Sequence, residues 1–152
     1  MSGKKLSISI GSDHAGFELK EALTSELKAD GYNIEDLGAF SPDPVDYPDV
    51  AKTLAEAIAA GRFDKGILIC GTGIGVTITA NKIKGIRAFA CSEPYSAKMA
   101  RAHNNANVVG IGARVVGLGT AIEIAKAFLD TDFEAGSRHE KRVDKINALD
   151  KC

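Results

Sequence analysis

The chain has 152 residues, 45% of them hydrophobic and 26% charged, the size and make-up of one folded domain rather than of a disordered or fibrous segment. A domain of this length hides about 70% of its unfolded surface and needs no covalent staples. The formal charge of −1 argues against a general nucleic-acid or membrane-surface binder, and no apolar run approaches the roughly 20 residues of a membrane span.

Strand and helix signals alternate from end to end. Residues 6–10 form the first candidate strand, too short for a signal-peptide core behind the basic Lys4-Lys5. Residues 15–29 carry Leu19, Leu23 and Leu27 four apart, a helical stripe stopped by Gly31. A weaker strand follows at 33–37, then the loop Ser41-Pro42-Asp43-Pro44 and an alanine-rich helix at 49–60 ended by Gly61. The third strand, 66–70, delivers Cys70 to the loop Gly71-Thr72-Gly73-Ile74-Gly75, which runs into a helix ending near residue 83. A fourth strand is expected at 86–91, with Pro94 opening the next helix through about 103. A fifth strand at 108–111 precedes a helix at 119–129 with Ile122, Ala125 and Leu129 inward, and Ser137 caps a last helix reaching about 149.

Five strands alternating with helices predict one α/β domain over residues 1–152: a Rossmann-like, doubly wound parallel sheet of order 2-1-3-4-5, helices on both faces and a C-terminal helix. Such sheets bind ligands beyond the carboxyl ends of the strands, where the order reverses between strands 1 and 3. Asp13-His14 follows strand 1 and Cys70 to Gly75 follows strand 3, so two polar clusters converge there.

The glycine loop lacks the Gly-Lys-Ser/Thr of a P-loop, and Val76 stands where a dinucleotide fingerprint needs its third glycine. It is either a tight-packing turn or a nest of backbone N–H groups for an anion. Cys70 is either a buried structural thiol or a base or nucleophile whose thiolate those N–H groups support. Asp13 is either a helix cap or a group that handles a hydroxyl, with His14 on an anion. Arg138 and Arg142 share a helical face suited to a phosphate or carboxylate, though such faces are commonly just solvated; His139, Lys141 and Lys145 add positive charge nearby. His103-Asn104 precedes strand 5 and so lies near the rim opposite Cys70; a catalytic His103 would serve a neighbouring subunit. The histidines show no metal-ligand spacing. Three widely spaced cysteines, Cys70, Cys91 and Cys152, suggest free thiols in a reducing cytoplasm.

Taken together, Ser12-Asp13-His14-Ala15-Gly16-Phe17, Asp46-Tyr47-Pro48, Cys70-Gly71-Thr72-Gly73-Ile74-Gly75, Ala80-Asn81-Lys82, Gly85-Ile86-Arg87-Ala88, Arg101-Ala102-His103-Asn104-Asn105-Ala106-Asn107, Gly112-Ala113-Arg114 and Arg138-His139-Glu140-Lys141-Arg142-Val143 resemble type B ribose-5-phosphate isomerase over nearly the whole chain. The wider family includes galactose-6-phosphate isomerase subunits and isomerases of other aldose phosphates. The resemblance implies reversible interconversion of D-ribose 5-phosphate and D-ribulose 5-phosphate with no metal or organic cofactor. It makes Cys70 the base that moves a proton between C2 and C1 through a cis-enediolate. Some relatives use a glutamate just after the last loop glycine, where this chain has Val76. By the same resemblance the Gly71 to Gly75 amides, Ile74 among them, hold the enediolate oxygens and the Thr72 hydroxyl assists proton movement. His103 opens the furanose ring with Asp13 on the sugar hydroxyls, and Asn104 contacts the substrate. His14, Arg114, Arg138 and Arg142 bind the phosphate or nearby groups, and Tyr47 walls the pocket. It further implies a cytoplasmic homodimer with shared sites, or a tetramer, taking a sugar phosphate and neither nucleic acid nor membrane. Two alternatives stand beside it: isomerisation of allose 6-phosphate, galactose 6-phosphate or a tetrose phosphate, and a non-catalytic nucleotide- or flavin-binding module.

Overall fold

In the computed structural model, residues 5–150 are described. Cys152 lies outside them, and Cys70 and Cys91 are free thiols. No helix among the described residues is long and apolar enough to cross a membrane. Five parallel strands form one sheet: β1 (Ser7–Ser12), β2 (Asn33–Asp36), β3 (Lys65–Cys70), β4 (Ala88–Ala90) and β5 (Val108–Gly112). The helices are α1 (Phe17–Ala29), α2 (Tyr47–Ala59), α3 (Ile74–Ala80), α4 (Pro94–Asn104), α5 (Leu118–Asp130) and α6 (Arg138–Asn147).

The doubly wound α/β fold is as expected. Period-2 alternation sends Ile8, Ile10, Ile67, Ile69, Val109 and Ile111 to one face, where Leu23 and Leu27 of α1 and Ile124 and Phe128 of α5 cover them. Leu68, Cys70 and Val108 point to the other face, under Leu54 and Ile58 of α2 and Val76 and Ala80 of α3. On α5 the fully buried residues include Ala121, Ile124, Ala125 and Phe128, while Ile122 is only half-buried.

The strand order is β2-β1-β3-β5-β4, not 2-1-3-4-5. The reason is burial. A central parallel strand is covered on both faces, and every residue of β5 is buried. β4 keeps only three residues, half-buried to exposed, the short form natural edge strands take. Its expected first residues, Ile86 and Arg87, stay ahead of the ladder, where the Arg87 N–H donates to Asn107 Oδ1. The reversal between β1 and β3 survives this exchange. What changes is the third wall: the end of β5, not of β4, stands beside Cys70.

Helix starts also move. α1 begins at Phe17 because Asp13 and Gly16 close a turn ahead of it, the Gly16 N–H donating to Asp13 Oδ1 at 3.1 Å. α2 begins two residues early, at Tyr47-Pro48, with proline in the first turn. α3 stops at Ala80 and α6 at Asn147, both short of expectation.

Candidate active site

β3 is buried along its whole length and carries its last side chain, Cys70, to the carboxyl rim at 5% exposure. The chain then turns sharply into α3. Gly73 adopts φ +80°, and a Cβ there would lie 2.9 Å from the Ile111 carbonyl carbon, so conformation and space both demand glycine. The turn aims the Gly73 N–H at Cys70 Sγ, 3.2 Å away. The next amide, Ile74 N–H, donates to Thr72 Oγ1 at 3.2 Å. At Gly75 a Cβ would sit 2.5 Å from Tyr47 Cε1, so the tyrosine ring lies directly over the loop.

β5 supplies the far wall. Cys70 pairs with Gly112, the Ala113 N–H donates to the Cys70 carbonyl at 2.8 Å, and the Arg114 N–H donates to the Gly71 carbonyl at 3.0 Å. The Arg114 guanidinium packs close over Gly71. An open cleft of about 420 Å³ results, lined by Asp13, Tyr47, Cys70, Gly71, Thr72, Ile74, Gly75, Ile78 and Arg114. Asp13 is 6% exposed, so its carboxylate both closes the turn before α1 and lines the cleft. Ile78 is an addition to the expected set. The Ile74–Ile78 pair, one turn apart and more than half exposed, is its sequence signal.

The remaining expected residues lie elsewhere. His14 is exposed, and its Nδ1 accepts the Val45 N–H at 3.2 Å. His103 and Asn104 end α4 just before β5 starts, one strand length from Cys70 at the opposite rim. Asn104 lines a separate cavity of about 440 Å³ with Phe89, Ile146 and Leu149. Arg138 and Arg142 share a cavity of about 320 Å³ with Lys141 and Lys145, one cationic face of α6. The described chain therefore carries two groups, a thiol cleft at one rim and an imidazole-guanidinium cluster at the other.

His139 corrects the sequence reading. It is not one more positive charge. Its side chain is 12% exposed and its ring stacks on His103, centroids 3.9 Å and planes 14° apart. Burial first, then His103 and Arg138, push its imidazole below the ordinary histidine value. With Glu134 the two rings place ligand atoms within 4.8 Å of one another, a donor set of the kind zinc accepts. The two rings lie in near-parallel planes, so their in-plane lone pairs do not share a plane, and the four α6 cations oppose a divalent ion. The arrangement suits two imidazoles in contact better than a metal.

The family model for ribose/galactose isomerases matches residues 8–146. Ribose-5-phosphate isomerase B of Escherichia coli is 48% identical over 143 residues, covering 94% of this chain and 95% of that one. D-erythrulose-4-phosphate isomerase of Pectobacterium atrosepticum is 50% identical over 145 residues, 93% of each chain. The structure of ribose-5-phosphate isomerase B from Clostridium thermocellum superposes with a TM-score of 0.91 at 46% identity, covering 95% of this chain and 97% of that one.

Proposed function

The chain belongs to the ribose/galactose isomerase family, and we propose that it interconverts D-ribose 5-phosphate and D-ribulose 5-phosphate with Cys70 as the proton-transfer base. The observation that carries this reading is the Gly73 N–H held on Cys70 Sγ inside the cleft shared with Asp13, Thr72 and Arg114. Cys70 takes the C2 proton of the open-chain aldose, electrons move toward the carbonyl oxygen, and the cis-enediolate is reprotonated at C1. The C2 proton of a sugar is a weak acid, so the amide donors of the 71–75 loop that are not turned on Cys70 and Thr72, with the Arg114 charge, must meet the enediolate oxygens without reorganising. Thr72 passes the proton between those oxygens, and Asp13 holds the sugar hydroxyls. Tyr47 closes one side.

Ring opening falls to His103, with Asn104 on the sugar, both contributed to the cleft by a partner subunit. That assignment draws support from the opposite-rim placement of Cys70 and His103. His14, Arg138 and Arg142 anchor the phosphate, whose binding energy orients the reacting carbons. The working unit is then a homodimer, or a tetramer made from it, of single-domain chains in the cytoplasm, needing no cofactor.

A tetrose phosphate is the second reading, favoured by the identity to the erythrulose-phosphate enzyme. A non-catalytic nucleotide-binding module is set aside by the family match. Comparison of kcat/KM across four-, five- and six-carbon aldose phosphates separates the substrates: the five-carbon sugar should lead, and a lead for another overturns the pentose reading. Cys70→Ala should lower turnover by about 1,000-fold with the fold intact, and full activity there overturns Cys70 as the base.

A further inference from the structure

The stack of His139 on His103 is built rather than incidental. His139 is the second residue of α6, and Ser137 Oγ accepts its N–H at 3.2 Å. The Ser137 hydroxyl donates to the Glu134 carbonyl at 2.5 Å. The Glu134 N–H in turn donates to the Ala102 carbonyl at 3.0 Å, one residue before His103 on α4. The turn 134–139 is thereby tied to the end of α4, and it lays one imidazole flat on the other, 3.9 Å between centroids. Glu134 Oε1 lies 3.9 Å from His139 Nε2, at the outer limit of an ion pair. Burial, with His103 and Arg138, holds His139 below the usual histidine range, so near neutral pH the stack places an uncharged ring on His103.

We propose that His139 is the positioning residue of His103, its flat ring fixing the plane in which His103 opens the furanose. This rests on the ring-opening role given to His103 above. In that step the C1–O4 bond breaks and C1–O1 becomes the carbonyl. A proton leaves the O1 hydroxyl and a proton arrives on O4, with nothing oxidised or reduced. An imidazole serves such a step only when its nitrogens face those oxygens, so rotation of the ring is the variable that matters. A neighbour stacked on the face blocks that rotation without competing for either nitrogen.

The chemistry of the ketose supplies the test. In D-ribulose 5-phosphate the oxygen that would close a five-membered ring carries the phosphate, so the sugar stays open. Deuterium uptake at its C1 in heavy water therefore needs Cys70 and the enediolate but no ring opening. Conversion of ribose 5-phosphate needs both. For the intact protein, His139→Asn should lower kcat on ribose 5-phosphate by about 10–100-fold, the scale of a misplaced catalytic group, while deuterium uptake into ribulose 5-phosphate stays at the wild-type rate. His139→Phe, which keeps a flat ring, should recover most of the lost kcat. Equal losses in both readouts, no loss in either, or a phenylalanine variant no better than asparagine each overturn the proposal. His103→Ala should show the same split. If it leaves both readouts untouched, the ring-opening reading itself falls, and a wild type that converts no pentose phosphate brings down both readings together.

Discussion

A methyl group on residue 73 has nowhere to go. The position needs φ +80°, and a Cβ would meet backbone atoms of Gly110 and Ile111 at 2.9–3.0 Å, atoms that cannot rotate aside. Gly73→Ala should therefore destabilise the fold by about 2–4 kcal/mol, combining left-handed strain with overpacking. Urea denaturation measures the loss. Activity should fall further than stability accounts for, because the same residue carries the N–H on Cys70. Cys70, the glycine loop and Asp13 were legible in the sequence because a strand followed by a turn leaves little choice about where the next side chain goes. Arg114 was legible only through the family resemblance. The role of His139 was not legible, since it depends on a turn from 134 to 139 folding back onto α4, and no local spacing encodes that meeting.

The helix that carries Arg138, His139 and Arg142 depends on its first turn. α6 has ten residues, below the length at which an isolated helix holds in water, and Val143 is its one buried residue. The Ser137 cap is accordingly a large share of what keeps it in register. Ser137→Ala should weaken the protein by about 1 kcal/mol, and both kinetic constants should worsen, KM rising as a frayed α6 loosens its guanidinium groups and kcat falling as the same turn loses its hold on His139. Paired urea melts and steady-state kinetics on the same preparation test both halves. At this scale the sequence pattern located every strand and helix within a few residues but ordered two strands wrongly. Alternation and chain order favour placing strands 4 and 5 in succession. Relative burial decides otherwise, and residues 86–91 hide their weakness as a strand because Asn107 takes the Arg87 amide that a longer ladder would have used, while Asn81 takes the outward-facing amide of Ala88.

For the molecule as a whole, Lys65 links the amino end of the sheet to the end of α5. Its ammonium donates to the Phe128 and Leu129 carbonyls at 3.1 and 3.0 Å and is 5% exposed as a residue. Burial foremost, with Arg101 adding to it, pushes the group down to about 8, against the ordinary 10.5 of an unfolded chain. Between those values the unfolded chain holds a proton that the folded chain lacks, so stability rises with pH, by up to about 3 kcal/mol if this group acted alone. Tyr32 acts in the opposite sense above pH 10, its hydroxyl held in the neutral form by burial and by Asp130. The window for measurement is therefore about pH 8 to 9.5. Denaturation free energies of the wild type should climb across it relative to Lys65→Met, and parallel curves would refute the assignment. The separation of Cys70 and His103 at opposite rims has a consequence in heredity rather than in structure. If each cleft takes its thiol from one chain and its imidazole from the other, a dimer of one Cys70→Ala chain and one His103→Ala chain has one cleft missing both groups and one cleft with neither missing. Two alleles, each deficient alone, would then complement one another for isomerase activity, and a random mixture of the two subunits should reach about a quarter of the wild-type rate.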